Sequence, residues 1–168
     1  MSETFKTLRA LSGTVPAMLL MLHLLFIGIW LGCVLTEALF ERALLGQGRA
    51  HELLLADLHK RVDVWIEIPA FAAVVVTGGM LFVQATAGTW LYAKIALGLL
   101  AVVANTVCVG LVFARAKAAH AGDWERFDRL DHLQHKLGAV VLLGLLGALG
   151  VGLVLQPCIA GSSPGPPR

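Results

Sequence analysis

The sequence has no CxxC pair, no even set of cysteines and no HExxH step. Its three cysteines, Cys33, Cys108 and Cys158, therefore carry no disulfide or zinc signature and read as small buried hydrophobes. Charge is equally scarce: 14% of residues are Asp, Glu, Lys or Arg, and the net charge of +2 is spread through loops, so no nucleic-acid surface is expected. The apolar runs lack two-residue alternation, which excludes a membrane β-barrel. The first apolar run lacks a small-x-small cleavage pattern and is too long for a signal peptide, so it is read as a retained helix.

What is present is apolar sequence in long blocks. At 58% hydrophobic and a mean hydropathy of +0.80, the chain exceeds the apolar usage of soluble domains. Four runs, 15–36, 68–87, 95–114 and 137–156, reach the length of about 20 residues needed to cross a bilayer core. The expected fold is all-α: an integral membrane four-helix bundle, up-down-up-down, with helical extensions on the cytoplasmic side. The domain plan is a polar arm over 1–14, the transmembrane domain over 15–156 and a disordered tail over 157–168.

Local signals place the connections. Pro16 suits the first turn of the first span. Gly46, Gln47 and Gly48 mark a turn, after which an amphipathic helix starts at about Arg49 and runs into the second span. Pro69 removes a backbone donor and leaves the carbonyl of Trp65 without its usual partner, predicting a kink next to Glu67. The connection 84–89 is short and uncharged, so the spans it joins are antiparallel neighbours. Trp90 and Tyr92 mark an interface, Lys94 can snorkel, and Gly122 breaks the helix before the fourth span. Gly28 with Gly32, and Gly144, Ala148 and Gly152, form small-residue faces suited to a homo-oligomer or a partner membrane subunit.

Nine basic residues, Arg42, Arg49, Lys60, Arg61, Arg115, Lys117, Arg126, Arg129 and Lys136, fall in the two long connections. Lys6, Arg9, Lys94 and Arg168 fall on the other side. The positive-inside rule then places both termini in the periplasm and the long connections in the cytoplasm, in a bacterial inner membrane.

The ionisable residues gather at one level. His59, Asp63 and Glu67 recur every four residues, each roughly 40° round the helix from the last, and share a face. His23, Trp30 and Glu37 recur every seven and line one stripe of the first span. Glu41 closes that span, and Asp128, His132 and His135 lead into the fourth. A carboxylate inside the membrane needs a partner and points to function. Carboxylate and imidazole are ligands for zinc, iron, manganese or copper, so one or two transition-metal ions are expected at Glu37, His59, Asp63, Glu67, His132 and His135, near the cytoplasmic membrane edge. The alternative use of such groups is as solvated charges at helix ends.

His23 stands apart, roughly 21 Å from Glu37 along the helix at 1.5 Å per residue. It is either a neutral histidine hydrogen-bonded in the bundle or an axial ligand of haem b, in an oxidoreductase or electron carrier. Met18, Met21 and Met80 lie at similar depth and could join it in a copper(I) site. A third reading is an accessory or scaffold subunit.

The stretches HLLFIGIWLG (His23, Trp30, Gly32), RVDVWIEIPAFAAVVVTGGMLF and WLYAKIALGLLAVVAN (Trp90, Lys94, Asn105) resemble the small four-span bacterial membrane proteins that include the copper resistance D family and the four-helix protoporphyrinogen oxidases. The resemblance covers most of 18–155. The oxidase branch implies haem held by histidines of the first and third spans, which maps one ligand to His23; the third span has Asn105 and no histidine before His120. The copper resistance branch implies copper handling across the inner membrane.

Overall fold

Glycines at positive φ make two of the three breaks between the four helices. Gly46 (φ 77°) and Gly48 (φ 105°) turn it once, and Gly122 (φ 71°) turns it again. The computed structural model describes the backbone of residues 3–85 and 88–160, and the side chains of 15–85 and 88–154. Helix α1 spans Glu3–Leu44, α2 Arg49–Gln84, α3 Thr89–His120 and α4 Trp124–Ala160. Each contains a stretch long and apolar enough to cross a membrane. The all-α, four-helix architecture expected from the hydropathy blocks is what the chain adopts.

Two boundaries differ from expectation. Helix α1 already runs from Glu3, so the polar arm continues the helix and Pro16 lies inside it rather than in its first turn. Helix α4 runs through Pro157 to Ala160. The rest of the expected tail, 161–168, lies outside the described residues. Once a long apolar helix has nucleated, each added residue gains a backbone hydrogen bond, so polar flanks extend it readily.

At the end of α3, the Asp123 N–H bonds the Ala118 carbonyl and the Gly122 N–H bonds that of Ala119, the pairing of a Schellman motif with Gly122 at its left-handed position. Helix α2 carries the consequence of Pro69. Residues Asp63–Glu67 form a π turn, closed where the Ile68 N–H reaches the carbonyl of Asp63. The predicted disturbance next to Glu67 thus takes the form of one widened turn, the usual local device by which a helix absorbs a broken hydrogen-bond ladder.

The chain divides into two compact units, Met1–Thr86 with Ala116–Asp123, and Ala87–Arg115 with Trp124–Arg168. In the first unit α1 and α2 form an antiparallel hairpin, with His23 beside Thr77, Trp30 edge-on to Phe71 at 5.3 Å, and Phe40 beside His59. Leu19, Trp30, Cys33, Ala70 and Val74 are buried there.

In the second unit α3 and α4 pair in the same sense. Gly144 and Gly147 lie against Leu97, and Gly152 against Lys94. Two residues of the expected small-residue face of α4, Gly144 and Gly152, thus pack within the hairpin, together with Gly147. Gly28 and Gly32 of α1 have open space where a side chain would project.

Candidate functional site

The stripe of α1 that faces α2 carries Trp30 and Glu37, two helical turns apart. Trp30 is 1% exposed, and its indole N–H is buried without a hydrogen-bond partner among the described residues. Opposite Glu37, the π turn of α2 begins at Asp63 and ends at Glu67, both buried. One carboxylate oxygen from each of Glu37, Asp63 and Glu67 lies within 4.8 Å of the other two. Glu37 Oε1 is buried and has no hydrogen-bond partner among the described residues.

Two unit charges about 4 Å apart interact by about 4 kcal/mol at an effective dielectric of 20. Three carboxylates at this spacing therefore require positive charge among them, as a proton or a cation. The donor set is all oxygen, which suits Mn²⁺ or Fe²⁺ better than Cu⁺, whose preferred ligands are thiolate and thioether.

His59, expected beside these carboxylates, is fully buried one turn before Asp63. Its Nε2–H donates to the backbone carbonyl of Glu37 at 3.3 Å, and Nδ1 lies 3.9 Å from Glu41 Oε1. Because a carbonyl only accepts, Nε2 carries the proton, and any ligand role for this ring falls to Nδ1. His59 thus ties the backbone of α1 to α2 at the level of the carboxylates.

His132 and His135 stand on α4, in the second unit, and both are exposed. His135 Nδ1–H donates to the carbonyl of Asp131 at 2.9 Å. The buried acid of this helix is Asp131, 4% exposed and ion-paired with the fully buried Arg115 of α3, which also lies 5.6 Å from the ring of Phe127. Sequence reasoning missed this pair. The sequence places Arg115 among the basic residues of the connections and singles out Asp128, which is exposed, rather than Asp131. The available signal was the four-residue step from Asp131 to His135.

No protein-family model matches the sequence, and no curated protein or solved structure is similar to it.

His23 is buried in the first unit, its Nδ1 2.8 Å from Thr77 Oγ1. The Thr77 hydroxyl donates to the Ala73 carbonyl at 2.6 Å, so Thr77 accepts from His23 and the proton resides on Nδ1. The lone pair then lies on Nε2. Gly78 makes room for the ring: a Cβ there would stand 3.1 Å from His23 Cε1. Met18, Met21 and Met80 are all more than half exposed. In α3, Asn105 is buried, with Nδ2 unpartnered among the described residues.

Proposed function

We propose that the chain is a multi-pass protein of the bacterial inner membrane that binds a divalent transition-metal ion through Glu37, Asp63 and Glu67. The observation that carries this reading is the meeting of three carboxylates, from two apolar helices, at a widened helical turn. Buried carboxylates at this spacing are stabilised when a divalent cation neutralises them, and an ion would supply Lewis-acid or redox chemistry in metal handling. His59 supports the reading as the group that fixes α1 against α2 at this level. The resemblance to copper resistance D proteins points to the same broad role, although an oxygen donor set favours Mn²⁺ or Fe²⁺.

Elemental analysis of the purified chain, beside a Glu37→Gln, Glu67→Gln variant and after dialysis against Mn²⁺ or Fe²⁺, tests the reading. One equivalent of metal in the native chain and less than about a tenth of that in the variant is expected. Equal metal in the two samples sinks it.

A second reading is favoured by one observation, the Nδ1–H bond to Thr77 that leaves the His23 lone pair on Nε2. That is the arrangement of a histidine prepared to ligate a haem iron, with its other nitrogen held by an acceptor. A Soret band in the same purified sample, lost in His23→Ala, supports the haem reading; its absence after haem reconstitution defeats it.

A further inference from the structure

On the first unit, the outward face of α2 and the end of α3 border an open cleft of about 370 Å³, lined by Asp57, Lys60, Arg61, Val64, Trp65 and His120. The five α2 residues fall at three- and four-residue steps, so they form one face of that helix. Along this face the chemistry changes within two turns. Lys60 and Arg61 stand exposed at the polar end, while Val64 and Trp65 follow where the helix becomes apolar, Trp65 being 78% exposed. A large amphipathic ring in such a position belongs at the level of lipid headgroups.

The charges sort themselves in the same way. His120 Nε2 lies 2.8 Å from Asp57 Oδ1, so the acid of the cleft is already held by the imidazole. Arg61 makes no ion pair among the described residues. With two cations, Lys60 and Arg61, against one acid, Asp57, the cleft carries net positive charge, and its apolar residues, Val64 and Trp65, lie at the end toward the apolar stretch of α2.

We infer that this cleft binds the phosphodiester headgroup of an anionic glycerophospholipid, with Lys60 and Arg61 on the phosphate, His120 at the rim, and the first acyl carbons against Val64 and Trp65. Arg offers a fork of donors to phosphate oxygens and Lys a mobile point charge. Basic pockets between membrane helices on the positively charged side are a recurring form of lipid recognition. The site uses neither the carboxylates of the hairpin interior nor His23, so it stands or falls apart from the metal reading.

Quenching of tryptophan fluorescence by brominated lipid tests the inference. The purified full-length chain in dodecyl maltoside is titrated with dibromo-phosphatidylglycerol and, separately, with dibromo-phosphatidylcholine. A preference of about tenfold for the glycerol lipid is expected, with the quenched component missing from Trp65→Phe. Lys60→Gln with Arg61→Gln should bring the two lipids to within about twofold, while the charge-conserving exchange Lys60→Arg with Arg61→Lys keeps the preference. Equal quenching of the native chain by both lipids, or a preference that persists in the glutamine variant, overturns the site. Inorganic phosphate at constant ionic strength should leave quenching unchanged; displacement of the lipid by millimolar phosphate would identify a free-phosphate site instead and also overturn it. If the glutamine variant does not fold, the native lipid comparison and Trp65→Phe still decide the matter.

Discussion

Among single residues, the pair with most at stake is Arg115 and Asp131. Both are buried, and the guanidinium also contacts the ring of Phe127. Removing one partner leaves the other as an uncompensated buried charge, which costs about 3–5 kcal/mol, whereas replacing both by apolar residues of similar volume is close to neutral. Arg115→Ala should therefore lower the melting temperature in detergent sharply, and Arg115→Met with Asp131→Leu should recover most of the loss. A native-like melt for Arg115→Ala alone would show that the pair is solvated.

The same scale shows where the sequence stops being legible. That Asp63 and Glu67 share one face of α2, and that Glu37 lies on the stripe of α1 that carries Trp30, follows from helical spacing, a local property, whereas the meeting of Glu37 with the other two depends on how α1 packs on α2. The proton on His23 Nδ1 depends on Thr77, and the burial of Arg115 depends on Asp131. Those contacts are set by the register of one helix against another, and no local pattern encodes it.

At the scale of helices, glycine has opposite meanings in α1 and α4. A Cβ added at Gly144 would stand 3.0 Å from the Ala101 Cβ and 3.1 Å from the backbone oxygen of Leu97, which cannot swing away. One added at Gly28 meets nothing within 4 Å. Gly144→Ala should destabilise the α3–α4 hairpin by about 1–3 kcal/mol through overpacking. Gly28→Ala should leave the melt unchanged or raise it slightly, since alanine is the better helix former. Equal melts for these two variants would remove the argument that α3 and α4 approach closely at Gly144. The GxxxG step in α1 and the small-residue row in α4 look alike in sequence. Only the approach of a neighbouring backbone distinguishes a packing glycine from an exposed one. The π turn is an intermediate case, because Pro69 announced a broken ladder but not whether the helix would bend or widen.

For the molecule as a whole, helix length and basic residues jointly constrain how it sits in a membrane. The 36 residues of α2 extend about 54 Å at 1.5 Å per residue, against a hydrocarbon core of about 30 Å. Its apolar stretch lies toward Gln84, so the end bearing Arg49, Lys60 and Arg61 must emerge from the lipid. Helix α3 ends on the same side of the first unit, because His120 bonds Asp57. The turns at Gly46–Gly48 and at Gly122 thus share one face of the first unit, the face with most of the lysines and arginines, and we propose from the positive-inside rule that it is the cytoplasmic one. Alkaline phosphatase fused after Gly122 should be inactive, a fluorescent protein at the same point should be bright, and the signs should reverse at the C-terminus. An active phosphatase at Gly122 would turn the molecule over, moving both the carboxylate cluster and the cationic cleft to the periplasmic side, where the metal supply and the lipid leaflet are different.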